Sequence, residues 1–352
     1  MSRPHHVAKV LEPLLALQAG DRETGRKGLR RLVRSLRKEP GDRLLVTLED
    51  LAEVPEEPAA ELLTALSEDF EVHTVLTARD WSLQIPSEWQ QLVKSKLTTP
   101  YGDFVTAVRA HRPEAAPFWL RQYLPDIATR WSQGLSPGRL HVIAVPSHTR
   151  DPNGIFRLFG DLVGFDIGTL EIDRERSNMS LGYEQVETLR LVNAALGDRL
   201  ADVRTEYRAV VRPLLINGAL RRQEPTRRLS LPAEHFAWVD ALSRVMVEEL
   251  RTAGHDLLGE PEDLVPVASG AEVDLDVDAD SVARVAVQAL ADVMVRSHQL
   301  TVARTSAPAQ ELAKAGSPDA APIPSPTARS RRASALMRRV ARRTKRLVTR
   351  PR

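Results

Sequence analysis

An α/β fold with a parallel sheet is the class this sequence predicts, and three observations carry that expectation. Short apolar runs at residues 43–48 (RLLVTL), 72–78 (VHTVLTA) and 140–145 (LHVIAV) have the length and β-branched content of buried strands. Helical periodicity fills the intervals between them, so strands and helices alternate as they do when helices cover a parallel sheet. Beyond residue 182, segments 183–196, 201–220, 234–253 and 281–304 all repeat apolar residues at helical spacing, which predicts a helical C-terminal part.

Taken in chain order, residues 23–38 place Leu29, Leu32, Val33 and Leu36 on one helical face with Arg and Lys elsewhere, the pattern of a surface helix. Pro40-Gly41-Asp42 then breaks the chain before the run at 43–48. A helix at 59–66 separates that run from 72–78, and the three together predict a right-handed parallel β-α-β unit. Helical segments near 101–110 and 119–131 precede the run at 140–145. Residues 305–328 are rich in Ala, Pro and Ser, with Pro308, Pro318, Pro322, Pro324 and Pro326, and too poor in large apolar side chains to order themselves. The expected organisation is a domain at 1–304, a disordered linker at 305–328 and a basic amphipathic helix at 329–352.

Composition narrows the chemistry. With 352 residues and 42% apolar content the chain is long enough to bury a substantial core. It has no Cys, which excludes disulfides, thiolate metal sites and cysteine nucleophiles. No stretch has the make-up of a signal peptide or the roughly 18 to 20 apolar residues of a membrane span, so a cytoplasmic protein is expected. The net charge of +2 conceals an asymmetry: eleven of the 49 basic residues fall at 329–352 with no acid among them, leaving 38 basic against 47 acidic residues, a net −9, in the rest. No Gly-x-Ser-x-Gly, His-Glu-x-x-His or Walker-type loop occurs, and the nine His are scattered, so no metal is expected.

The stretch LTARDWSLQIPSEWQ (76–90) poses the functional question. An apolar strand runs into Arg79, and Ser87 follows eight residues later, on the helix expected to begin near Trp81. In open α/β sheets ligands gather outside the carboxyl ends of strands, where helix N-termini offer free N–H groups. An Arg there presents a rigid fork of donors to phosphate oxygens, with the Ser hydroxyl in support. The competing reading pairs Arg79 with Asp80 or a nearby Glu and leaves Ser87 to start a turn after Pro86. Trp89 reads as a core aromatic.

The segment TARDWSLQIPSEWQQLVK (77–94) resembles the element with which sulfotransferases bind the 3′-phosphate of 3′-phosphoadenosine 5′-phosphosulfate. LLVTLEDLA (44–52), RWSQGLSPGRLHVIAVP (130–146), IFRLFGDLVGFD (155–166), RSNMSLGYEQVETLRLVNAAL (176–196) and AGHDLLGEPEDLVP (253–266) are similar, in the same order, to segments of a bacterial, actinobacterial-looking sulfotransferase-like family within the P-loop-containing superfamily. The resemblance implies a sulfotransferase-like fold, Arg79 and Ser87 as 3′-phosphate contacts, and a weaker nucleotide contribution from Arg176, Ser177 and Asn178. It implies Glu49 as general base, taking the proton from an acceptor hydroxyl as that oxygen attacks sulfur; a first-turn charge on the following helix, shared with Asp50, is the alternative role. The acceptor is left open, with carbohydrate and lipid hydroxyls as candidates.

One departure from the family is plain. Its Lys-Thr-Gly-Thr-Thr-like phosphosulfate loop has no counterpart, since the first twenty residues hold a single Gly, at position 20, and Lys27-Gly28 lacks a neighbouring Thr or Ser. The expectation is therefore an N-terminally truncated or degenerate relative with impaired transfer, because that loop supplies most of the charge stabilisation for the moving sulfuryl group. The expected alternative is a non-catalytic protein that binds a nucleotide or an anionic surface.

In 329–352, Ala333, Leu336, Met337, Val340, Ala341, Thr344, Leu347 and Val348 share one helical face and Arg fills the remainder. That pattern suits the interface of an anionic membrane such as the inner membrane, each cation contributing about 1 kcal/mol at most and less as salt rises. No specific nucleic acid is expected. The chain should co-sediment with anionic but not neutral liposomes, and removing residues 329–352 should abolish pelleting; equal pelleting of the truncated chain rejects the assignment.

Overall fold

The structure, a computed structural model, describes residues 4–147, 150–166, 168, 180–224, 226–267 and 277–315. Among the described residues, those up to 293 form one compact unit and 294–315 belong to a second. The first opens with α1 (Pro4–Gln18) and α2 (Arg22–Leu36). Asp21 starts α2 by accepting a hydrogen bond from the Thr24 N–H at 3.1 Å, relieving one of the donors a helix start leaves free. Leu29, Leu32 and Val33 are buried as their spacing predicts. Gly25 and Gly28 let the two helices approach: a Cβ on Gly25 would stand 2.4 Å from Leu17 Cγ, and one on Gly28 would stand 2.6 Å from Pro13 Cγ.

The predicted first strand is corrected. Residues 43–48 enter no ladder, and Leu44, Leu45 and Val46 are 38%, 61% and 41% exposed. β-Propensity reflects packing on a half-buried sheet face, and these side chains meet no such layer. The β-α-β unit is therefore an irregular run followed by a 3₁₀ turn (Glu49–Glu53), α3 (Glu56–Ser67) and the first observed strand, β1 (Thr74–Ala78). After β1 come α4 (Trp81–Val93), α5 (Tyr101–Arg109), α6 (Ala116–Gln122) and α7 (Leu124–Ser132). The single helix expected at 119–131 is two, broken at Tyr123, whose extended ψ of 99° precedes the helix-starting pair Leu124-Pro125.

β2 (Leu140–Ala144) pairs with β1 in parallel, Thr74 opposite Leu140 and Ala78 opposite Ala144. β3 (Asp256–Leu258) pairs in parallel with the other edge of β2, so the order is β1-β2-β3. The fold class is thus α/β with a small three-stranded parallel sheet and a largely helical remainder. Between β2 and β3 lie α8 (Gly154–Val163), α9 (Tyr183–Leu196), α10 (Arg208–Val211) and α11 (Phe236–Thr252). The expected helix at 201–220 is instead two π-helical turns, Val203–Tyr207 and Arg212–Ile216, on either side of α10. The last helix, α12, spans Ala279–Ala315. It carries the chain to Ala315 through part of the expected linker, a stretch whose Ala, Gln, Glu, Leu and Lys are strong helix formers. Residues 316–352, with the basic segment, lie outside the described residues. No helix among the described residues is long and apolar enough to cross a membrane.

Two clusters of buried side chains make the core. One gathers α1, α2, α3, α7 and the sheet; the other gathers α4, α5, α9 and the π turns. Helix α11 serves both, with Val239 and Met246 in the second and Val247 and Leu250 in the first. Within the second, Trp81, Ile85, Trp89 and Val93 of α4 are almost completely buried, and the Trp89 ring lies 5.2 Å from that of Tyr101. The exit of α4 is tied by one amide: Asn193 Nδ2 donates to the carbonyls of Val93 (2.8 Å) and Leu97 (3.1 Å), while its Oδ1 accepts from the Tyr207 hydroxyl at 2.6 Å. Replacing Asn193 with Ala takes this partner from the Leu97 carbonyl and the Tyr207 hydroxyl, the Val93 carbonyl keeping the Lys96 N–H at 3.0 Å, and should cost about 2–4 kcal/mol. Urea unfolding measures it, and a change below about 0.5 kcal/mol would show that water or a shifted backbone replaces the amide.

Candidate functional site

The carboxyl end of β1 delivers Arg79 and Asp80 directly to the start of α4. Asp80 is spent on the helix. Its Oδ1 accepts from the Ser82 N–H and its Oδ2 from the Ser82 hydroxyl, both at 2.7 Å, and its carbonyl accepts from Leu83 and Gln84 N–H at 3.1 and 3.0 Å. Burial pushes the Asp80 carboxyl above its ordinary pKa, against these hydrogen bonds and the Arg79 charge, which pull it down.

Arg79 is therefore not ion-paired with Asp80. Its Nε donates to the neutral amide oxygen Oε1 of Gln84 at 2.6 Å, and its Nη2 makes only a long contact, 3.5 Å, to the Leu83 carbonyl. Burial first, and the nearby Arg228 second, lower its guanidinium pKa, with Asp80 acting in the opposite sense. Arg228 is exposed and makes no hydrogen bond or ion pair among the described residues. Two cations thus share the strand end, and the only carboxylate acting on Arg79 is already committed to a cap.

Ser87 lies three residues beyond Gln84 and four beyond Leu83, the two residues that hold the Arg79 head. Side chains at those spacings share a helix face, so Ser87 presents its half-buried hydroxyl one turn along the face on which Arg79 lies. No hydrogen bond joins Ser87 to Arg79.

Glu49 opens the 3₁₀ turn Glu49–Glu53, with Asp50 beside it, and both are exposed. It follows no strand, contrary to expectation, and no hydrogen bond or ion pair joins it to Arg79 or Ser87 among the described residues. A chain of polar contacts does link its turn to Arg79. Gln84 Nε2 donates to Gln122 Oε1 (3.0 Å), Gln122 Nε2 donates to Glu88 Oε2 (3.1 Å), Arg121 Nη2 stands 2.5 Å from Glu88 Oε1, and Arg121 Nη1 donates to Glu53 Oε1 (2.8 Å). The Arg121 Nη2 contact is a close charge pair without hydrogen-bond alignment. Burial raises the Glu88 carboxyl pKa, with Arg121 opposing it.

Arg176, Ser177 and Asn178 lie outside the described residues, so the structure assigns them no position. Arg228 and the Gln84–Gln122 relay were not foreseen from the sequence. The signal for Arg228 was the run Arg227-Arg228, of which Arg227 pairs with Glu184 at 2.7 Å while Arg228 has no carboxylate partner. A separate groove lined by Arg26, Glu56, Glu57, Glu61, Thr64 and Gln133 offers less: Arg26 is already held by Glu61 through Nε at 3.0 and 3.1 Å, and the groove contains none of the residues above. At the amino end of the strands, His141 contacts Asp256 Oδ2 (2.6 Å) and His73 (2.8 Å) and ties β1, β2 and β3 together. Among the described residues no group of three or more His, Cys, Asp or Glu is disposed to hold a metal ion.

No family model, no curated protein and no solved structure matches this chain.

Asp80→Ala removes the cap at the strand–helix junction and should lower stability by about 1 kcal/mol. Asp80→Asn keeps an acceptor for the Ser82 N–H and should cost less, since it also removes a charge whose burial is unfavourable. Because the folded-state pKa is raised, that charge penalty is present at neutral pH and vanishes as the carboxyl protonates in acid. Urea unfolding at neutral and acid pH measures both variants, and equal losses for Ala and Asn would show that the cap contributes nothing.

Proposed function

We propose that this protein binds the 3′-phosphate of an adenosine nucleotide at the carboxyl end of β1, in a sulfotransferase-like arrangement, through Arg79 and Ser87. What supports the reading above all is the Arg79 guanidinium, held at a strand end by a neutral amide and not ion-paired with a carboxylate among the described residues. Most half-buried guanidinium groups are neutralised by an acid; one fixed by Gln84 keeps its charge available for a ligand. The helix start adds to this through the positive end of its dipole, the N–H groups of Ser82, Leu83 and Gln84 being already taken by Asp80. Arg228 supplies a second positive charge that sequence reading had not assigned.

The donor in this reading is 3′-phosphoadenosine 5′-phosphosulfate and the acceptor a carbohydrate or lipid hydroxyl. Glu49 is the proposed base, and its exposed turn is connected to Arg79 through Glu53, Arg121, Glu88, Gln122 and Gln84. Transfer would also need the 5′-phosphosulfate to be held and neutralised, and no group present is assigned that task. Nucleotide binding without transfer is accordingly the second reading, favoured by the lack of any direct contact between Glu49 and Arg79.

Titration calorimetry with adenosine 3′,5′-bisphosphate tests the binding claim. Weak, salt-sensitive binding is expected, lost on Arg79→Ala and reduced several-fold on Ser87→Ala. Equal heats for the unmodified chain and Arg79→Ala, or no binding by either, would end the proposal.

A further inference from the structure

At the amino end of the sheet, away from Arg79, four titratable side chains form a single line. His73 directly precedes β1, His141 is the second residue of β2, and Asp256, its register partner, opens β3. His141 Nδ1 lies 2.6 Å from Asp256 Oδ2, His141 Nε2 lies 2.8 Å from His73 Nδ1, and His73 Nε2 lies 3.2 Å from Glu71 Oε1. The two ring planes are 9° apart and their centres 5.2 Å apart. Nitrogens only 2.8 Å apart between nearly parallel planes are too close for face-to-face stacking, so the rings meet edge to edge. That is the direction in which a ring N–H and a ring lone pair both point.

Each of the three contacts needs one proton. An ionised carboxylate only accepts, and two ring nitrogens at 2.8 Å need a hydrogen on one of them. Two neutral imidazoles hold two protons between them. The line observed therefore holds a third, whichever of its atoms carries it, and the ring pair forms a cation between two acids. His141 is buried, so a contact left without its proton would find no water to relieve it.

The surroundings leave this charge arrangement undisturbed. Arg139, just before β2, stands 3.6 Å from Glu71 Oε1, and the His73 contact first, then the Arg139 charge, hold the Glu71 carboxyl below its ordinary range. The elements packed against the strands carry Asp126 and Arg130 (α7), Arg157 and Asp161 (α8), and Glu262 and Asp263 in the turn Pro261–Leu264. Among the described residues none of these pairs with the four. Arg130 donates to the Ala52 and Leu120 carbonyls, and Arg157, Glu262 and Asp263 pair with Asp151, Arg251 and Arg150. His255, the residue before Asp256, makes no hydrogen bond among the described residues.

We infer that His73 and His141 hold one shared proton between Glu71 and Asp256, and that this proton makes the junction of the three strands pH-sensitive. When it leaves, one contact in the line becomes two lone pairs, or a lone pair and a carboxylate, face to face, and a strand loses its tie at this end. Imidazole is the side chain that changes charge between about pH 5 and 8, which sets the range of the device. The folded chain holds the proton more tightly than the unfolded chain, so its stabilising effect is full in acid and is lost as pH rises. The line lies at the other end of the strands from Arg79, and the outcome for the nucleotide reading does not bear on it.

Two measurements on the full chain test this. The first follows the histidine rings, labelled with ¹⁵N, by proton–nitrogen NMR from about pH 5 to 8. His73 should still carry protons on both ring nitrogens at a pH where the exposed His298 has lost one, and His141 should keep its proton on Nδ1. His73 losing a ring proton together with His298, or His141 bare at Nδ1, would overturn the inference. The second compares urea midpoints of the unmodified chain, His73→Gln and Glu71→Gln at about pH 6 and about pH 8. The advantage of the unmodified chain over each variant should shrink by half or more at the higher pH. Only the change with pH counts, so any loss of stability from the substitution itself cancels. An advantage that stays constant or grows would mean that the contacts need no third proton, and would sink the proposal.

Discussion

The Asn193 amide is the interaction on which the geometry of this molecule most depends. An α-helix leaves its last carbonyls without partners, and when that end is buried the groups must be satisfied from elsewhere. Here one side chain from α9 serves the carbonyls of Val93 and Leu97 and is itself fixed by Tyr207 from the first π-helical turn. The end of α4 is thereby locked to two elements about a hundred residues downstream by a group that is 1% exposed. The axis of α4 follows from that lock, and with it the placement of both ends of the helix. At its start, Asp80 spends both carboxylate oxygens on Ser82. Helix α4 is thus clamped by a cap at one end and an amide at the other, and its apolar face of Trp81, Ile85, Trp89 and Val93 fills the space between.

This economy of polar groups explains why charge is left over. Asp80, the acid nearest Arg79, is consumed by capping, and Glu88, the buried acid on α4, is consumed by Arg121, which also reaches Glu53. Arg79 is consequently held by an amide, and Arg228 faces it rather than an acid. The relay Gln84–Gln122–Glu88 has a defined donor at each link and so orients the Gln84 amide that holds Arg79; from Glu88 a charge pair with Arg121 continues to the turn carrying Glu49. A carboxylate in place of Gln84 would have neutralised the same guanidinium but could not donate to Gln122 Oε1, so the amide is what keeps the relay intact.

Legibility in the sequence varied with how local the cause was. The β1–α4 junction was readable because strand, Asp cap and helix face are all encoded within residues 74–93. Helix α9 was readable to the residue, since Gln185 accepts from the Gly182 N–H at 2.7 Å and Gly197 follows its end with a positive φ of 52°. The strand expected at 43–48 failed for a non-local reason: its apolar content is right, but a strand needs a partner and a buried face, and neither can be read from six residues. α1 was not among the expected helices; its Pro4 is the first helical residue, where a missing N–H costs nothing, and Pro13 lies inside it. The π turns around α10 follow from packing of Tyr207 and Ile216 into the core and have no periodic signature in the sequence. Arg79 and Ser87 stood out in the sequence as candidates, whereas Arg228 did not, because an unpaired cation in sequence looks like ordinary surface.

The two cationic ends of α4 differ in how much they ask of the fold. Arg79 has a hydrogen-bond partner and a countervailing Asp80, so its charge is tolerated with or without a ligand. Lys94 has neither, and the folded chain bears the full cost of protonating it at neutral pH. Across roughly 20 Å the direct Coulomb interaction between the ends is small, because physiological salt screens over about 8 Å. Any communication must then pass through the helix itself, whose core-facing side chains leave little room to shift. A rigid rod of this kind fixes two charges at a constant separation.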